Sequence, residues 1–155
     1  MSAERLVRAA REAGVTIGTA ESCTGGLIGA ALTSVPGSSA VFPGGLVTYS
    51  NQLKQQLLNV PASDLREHGA VSEVVARAMA QGARRALGCD YAVAVTGIAG
   101  PGGGSEAKPV GTVHVAVAGP EGVSAWHDVW SGLDREGVRE ATVDAALSRL
   151  LDALG

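Results

Sequence analysis

Ser22 stands in Thr19-Ala20-Glu21-Ser22-Cys23-Thr24-Gly25-Gly26, between a β-favouring stretch and an apolar, small-residue helix pattern. A hydroxyl at such a strand-to-helix turn can act as a nucleophile, and the amides of a helix N-terminus favour negative charge. A serine in this position is more often only a helix N-cap, and on this motif alone that reading leads. Cys23 offers a thiol, but no histidine lies near it in sequence to support a thiolate. Glu21 can be a general base or a local capping group.

A second constellation is Tyr49-Ser50-Asn51-Gln52-Leu53-Lys54. Of the twelve cationic residues, only Lys54 and Lys108 are lysines. Lysine can lose its proton when desolvated, whereas arginine effectively cannot. With Asn51 as N-cap, Lys54 falls at N3, where the helix dipole opposes its charge and lowers its pKa. Tyr49 closes the preceding strand and can sit near Lys54, which would favour its phenolate; the plain alternative is a buried ring and a solvated lysine.

The third constellation is the loop from Thr96 and Gly97 through Gly100, Gly102, Gly103 and Ser105 to Lys108. It has no GK[ST] ending, and it runs through Pro109 into a strand rather than a helix, so neither the P-loop nor the dinucleotide fingerprint applies. What remains is an amide-rich loop able to wrap an anionic ligand. Asp134-Arg135 and Arg139, around the start of the last helix, supply guanidinium groups for phosphate or for ordinary ion pairs.

The elements that must position these groups follow from periodicity and punctuation. An amphipathic helix over Ala3–Ala13 ends at Gly14, and a strand spans about 15–20. A helix over about 25–34 stops at Val35-Pro36-Gly37. Gly44 to Tyr49 reads as a buried strand, 52–58 as a short helix, and 61–69 as a short helix plus loop. Ser72 caps a long helix to Leu87. Tyr91 to Thr96 is a continuous apolar run, as expected of a strand buried on both faces. Strands 111–118 and 122–129 flank Gly119-Pro120-Glu121, a hairpin signal. Asp134 opens the final helix. The order predicts an α/β fold: one domain over 1–155, a mixed β-sheet flanked by helices on both faces, an α/β/α sandwich.

Composition narrows the function classes. With 46% hydrophobic and 17% charged residues, the 155-residue chain is expected to build a globular core. A net charge of −3 gives no support to binding of nucleic acid or an anionic membrane. Two cysteines without a hydrophobic leader fit the cytoplasm, and the scattered His68, His114 and His127 have no metal-ligand spacing.

Taken together, the segments TAESCTGG (19–26), SVPGSS (34–39), GGLVTYSNQLK (44–54), GAVS (69–72), VTGIAGPGGG (95–104) and KPVGTV (108–113) resemble the CinA C-terminal domain family, the nicotinamide-nucleotide amidases. The match runs in order through nearly the whole chain. The resemblance implies hydrolysis of nicotinamide mononucleotide to nicotinic acid mononucleotide and ammonia, a step of pyridine-nucleotide salvage, without metal or cofactor. It implies Ser22 as nucleophile, assisted by Tyr49 and Lys54, with Thr96 and an arginine after the last strand binding ligand. The family usually reads G-D-R at that arginine, whereas this chain has Gly132-Leu133-Asp134-Arg135, so Arg135 and Arg139 both stay open. Amides of Cys23, Thr24, Gly25 and Gly26 are candidates for the oxyanion site. The glycine-rich loop, with Gly97, Gly100, Gly102, Gly103, Ser105 and Lys108, is expected to hold the ribose phosphate. The chain has no room for the pyrophosphatase-type domain of larger members, and a homo-oligomer is expected. The alternative function is a non-catalytic nucleotide-binding or protein-interaction module of the same fold.

Overall fold

The computed structural model describes residues 2–155 as one five-stranded sheet with six α-helices. In chain order these are α1 (Ser2–Ala13), β1 (Ile17–Glu21), α2 (Leu27–Thr33), β2 (Gly44–Val47), α3 (Asn51–Leu58), α4 (Ala62–His68), α5 (Glu73–Leu87), β3 (Tyr91–Gly97), β4 (Thr112–Gly119), β5 (Gly122–Val129) and α6 (Arg135–Ala153). The strand order is β2-β1-β3-β4-β5. β1 is parallel to both β2 and β3, whereas β3–β4 and β4–β5 are antiparallel. The sheet is therefore mixed, as the sequence predicted.

The period-2 alternation in β3 and β4 divides the core in two. Val93, Val95, Val113, Val115 and Val117 point to one face, against Leu6 of α1, Ile28 of α2 and Leu150 of α6. Ala92, Ala94, Ala116 and Ala118 point to the other, against Val75, Met79 and Ala83 of α5. Each fully buried valine contributes roughly 1.5–3 kcal/mol, so the first face carries more of the hydrophobic stabilisation. The alanine face instead lets α5 lie close to the sheet, with α3 and α4 packed beside it.

One strand differs from expectation. β2 is an edge strand that ends at Val47, not a buried strand reaching Tyr49, because it pairs only with β1. Val47 and Tyr49 are exposed as a result.

The strand order has a consequence for function. From β1 the chain passes to β2 on one side, then returns to β3 on the other. In open α/β sheets, ligands collect outside the carboxyl ends of strands at such a switch point. Here that point lies between the ends of β1 and β3, where Ser22 and Thr96 stand.

Candidate active site

Ser22 follows directly on β1, and its amide donates to the Val95 carbonyl of β3 at 3.2 Å. The side chain is nearly buried. Lys54 reaches it from α3, with Nζ 2.9 Å from the Ser22 Oγ. The same nitrogen donates to the carbonyls of Thr48 at 2.7 Å and Tyr49 at 3.1 Å. Lys54 is 1% exposed, and the structure gives it no carboxylate partner among the described residues. Burial pulls its pKa from 10.5 down to about 8. In its neutral form, an amine at this distance from a serine hydroxyl can accept the hydroxyl proton.

The route to this geometry differs from the one expected. Ser50, not Asn51, is the N-cap of α3, with extended backbone and its hydroxyl accepting from the Leu53 amide at 3.1 Å. Lys54 therefore sits at N4, and desolvation rather than the helix terminus is the main cause of its lowered pKa. α3 is held against α5 by a close approach: a Cβ on Gly82 would overlap the Leu58 carbonyl.

The turn that carries Ser22 is fixed from both sides. The buried Glu21 carboxylate accepts from Thr24 Oγ1 at 2.6 Å and the Ile28 amide at 2.9 Å. It also accepts from the amides of Gly26 at 3.1 Å and Gly29 at 3.0 Å. Glu21 thus satisfies the orphan donors of α2 and is not placed as a base toward Ser22. The positive φ values of Gly25 and Gly26, 59° and 108°, allow the chain to double back so tightly. The Gly25 amide donates to the Ser22 carbonyl at 3.2 Å, so only the Cys23 and Thr24 amides of the turn lack an acceptor among the described residues. Burial pushes the Cys23 thiol up to about 11, which makes it a poor nucleophile beside Ser22.

A pocket of about 190 Å³ opens over Ser22, walled by Lys54, Tyr49, Ala70, Val71, Thr96, Gly97, Ala99 and Arg135. Ala99 and Arg135 also border an outer cleft of about 850 Å³ between the glycine-rich loop and the start of α6. Arg135 donates to the Gly100 carbonyl at 2.7 Å and to the Tyr49 hydroxyl at 3.3 Å, placing a cation where the two spaces meet.

The family model for the CinA C-terminal domain matches residues 1–154. The chain belongs to the CinA C-terminal domain family. It is 58% identical to a CinA-like protein of Parasynechococcus marenigrum over 90% of this chain and 34% of that protein. It is 55% identical to a CinA-like protein of Synechococcus sp. (strain CC9902) over 94% of this chain and 35% of the relative. The chain thus spans about a third of the length of these curated relatives. A solved structure, the competence/damage inducible protein CihA from Agrobacterium tumefaciens, superposes with a TM-score of 0.95 at 47% identity, covering 99% of this chain and 93% of that one.

Within this CinA-family domain, the other residues singled out in the sequence separate into three groups. Thr96 lines the pocket and spends its hydroxyl on the Ala70 carbonyl at 2.9 Å, fixing the 69–71 wall. Gly97 must lack a side chain, because a Cβ there would press on Val113 and on the Cys23 sulfur at 3.2 Å. Gly102, Gly103 and Ser105 are exposed and line neither space. Lys108 donates its amine to the His68 carbonyl at the end of α4, so it clasps the loop to the wall. Arg139 donates to the carbonyls of Cys23 and Thr24. The wall residues Ala70 and Val71 fall in the GAVS segment that carries the resemblance, but their apolar side chains gave no chemical signal of a place in the site. Gly82 carries no sequence signal of its role, because its partner Leu58 is remote in sequence.

Proposed function

We propose that this protein is a metal-independent amidohydrolase that converts nicotinamide mononucleotide to nicotinic acid mononucleotide and ammonia. The observation that carries the reading is the 2.9 Å contact between Lys54 Nζ and Ser22 Oγ, with the lysine buried and its pKa near 8. The choice of substrate rests on the motifs shared with the nicotinamide-nucleotide amidases. The paired spaces support it: the inner pocket suits a planar carboxamide, and the outer cleft has room for a ribose phosphate beside Arg135.

In the proposed reaction Ser22 Oγ attacks the carboxamide carbon as its proton passes to neutral Lys54. The carbonyl π electrons move to oxygen, and the amides of Cys23 and Thr24 receive the oxyanion. Collapse re-forms the C=O bond and breaks the C–N bond, with the Lys54 ammonium giving the departing nitrogen its proton, so that ammonia leaves. Water then attacks the acyl ester, its proton passes to Lys54, and the same proton returns to Ser22 as the acid is released. Tyr49 acts through its position: its backbone carbonyl holds the Lys54 amine, and its ring forms the pocket rim.

Ammonia release from nicotinamide mononucleotide by the purified protein tests this directly. Release that disappears in Ser22→Ala supports it. Release at the wild-type rate in that variant sinks the nucleophile. Tight binding by calorimetry without turnover would favour the non-catalytic module, and a carboxamide panel separates this nucleotide from other amides of similar shape. We also propose a cytoplasmic homo-oligomer. The exposed Val47, Tyr49, Leu53 and Leu57 on β2 and α3 support association, and a monomer by sedimentation would defeat it. No helix among the described residues is long and apolar enough to cross a membrane.

A further inference from the structure

Arg139 stands in the first two turns of α6, 116 residues from Cys23 in sequence. Its Nε donates to the Cys23 carbonyl at 3.1 Å and its Nη2 to the Thr24 carbonyl at 3.3 Å. No carboxylate lies within 4.0 Å of it among the described residues, although Glu136 and Glu140 are near in sequence. Its charge therefore falls on two successive peptides of the nucleophile turn.

The direction of those peptides gives the contact a purpose. In a trans peptide the C=O and N–H point opposite ways, so holding one end aims the other. The Cys23 carbonyl belongs to the same peptide as the Thr24 amide. The Thr24 carbonyl belongs to the same peptide as the Gly25 amide, which donates to the Ser22 carbonyl at 3.2 Å. The Ser22 carbonyl in turn shares its peptide with the Cys23 amide. One guanidinium thus reaches both unpaired amides of the turn, directly for Thr24 and through one relayed hydrogen bond for Cys23. A cation on a carbonyl also draws electron density from the N–H of that peptide, and hydrogen bonds in series polarise one another.

We propose that Arg139 is a positioning residue for the oxyanion site, orienting and polarising the Cys23 and Thr24 amides through their peptides rather than binding the substrate's phosphate. The proposal rests on Ser22 being the nucleophile, but not on which amide it attacks. Glu21 complements it: the carboxylate takes the amides of Gly26, Ile28 and Gly29, which leaves none of these to compete for the developing charge.

The test uses an alkyl fluorophosphonate, whose phosphoryl oxygen gains charge as Ser22 Oγ attacks phosphorus, fluoride leaves and the proton passes to Lys54. Mass spectrometry reads the second-order rate of Ser22 labelling in wild type, Arg139→Gln and Arg139→Lys. Removing an oxyanion donor typically costs a factor of 10²–10³, so misaiming two donors in Arg139→Gln is expected to slow labelling by roughly 10–100-fold, with Arg139→Lys between. Calorimetry on Ser22→Ala and on Ser22→Ala/Arg139→Gln is expected to give the same affinity for nicotinamide mononucleotide. Labelling at the wild-type rate overturns the proposal, as does a tenfold weaker affinity with labelling unchanged, the result for a phosphate ligand. Should Arg139→Gln not fold, the labelling rate of Arg139→Lys, which keeps the charge and one donor, decides alone. If the wild type is labelled but releases no ammonia, the amidase reading fails while the role of Arg139 is still decided by the rate ratio.

Discussion

The two halves of the site are built differently. The β1–α2 turn with Ser22 follows a strand paired on both sides, and its Glu21 carboxylate alone accepts four hydrogen bonds. The β2–α3 segment with Lys54 lies at the sheet edge, on a four-residue strand whose neighbours Val47, Tyr49, Leu53 and Leu57 are exposed. The nucleophile half is over-determined by charged side chains. The base half depends on one helix seated by Gly82, and on an amine placed where its charge is unfavourable. Stability is invested in the geometry of the Ser22 turn, and is conceded at Lys54, where the proposed function needs a proton acceptor near neutral pH.

The contrast is sharpest in a pair of substitutions. Lys54→Met is expected to lower kcat by a factor on the order of 10²–10⁴, since it removes the proposed general base. Loss of the desolvated amine offsets the loss of a donor to the Thr48 and Tyr49 carbonyls, so the variant's melting temperature is expected to fall less than that of Glu21→Gln. Glu21→Gln should show the reverse weighting. It leaves buried amides of α2 short of an acceptor, and urea denaturation is expected to show a loss of ~2–4 kcal/mol. A Glu21→Gln protein as stable as wild type would mean that the turn is not held by its carboxylate.

Smaller effects separate position from presence. Gly82→Ala forces α3 away from α5 and is expected to cost about 1–3 kcal/mol, with kcat reduced further than in an equally destabilised variant on α1. Equal activity in the two would show that the seat of α3 does not set the Lys54 geometry. Lys108→Met removes only the clasp to the His68 carbonyl. Its cost is expected at ~0.5–1.5 kcal/mol, with a few-fold rise in KM and little change in kcat.

What was legible in the sequence follows the same division. The fold class could be read because the continuous apolar run of β3, the hairpin signal between β4 and β5 and the helix stops are local signals. Ser22 and Lys54 each stood out, one as a hydroxyl at a strand-to-helix turn and the other as one of two lysines among many arginines, but only the family resemblance joined them, and it did not say whether Tyr49 or Lys54 touches Ser22. The edge position of β2 could not be read, since Gly44 to Tyr49 has the same apolar character whether it has one neighbour or two. Adjacent Ser50 and Asn51 are both good caps, so the helix start moved by one residue and Lys54 from N3 to N4. Glu21 carried a partial signal, a carboxylate three residues before Thr24, but the choice between base and cap depended on where α2 begins. The contact of Arg139 with the turn spans the whole domain and has no local trace.

The central claim is that a neutral, buried Lys54 takes the proton of Ser22, and the pH dependence of kcat/KM tests it most directly. Only the unprotonated amine can act as base, so activity is expected to rise with pH through an apparent pKa of about 8, the value burial gives Lys54, and to level off above it. A rate flat from about pH 6 to 9, or a rising limb near the histidine value of ~6.5, would contradict the account.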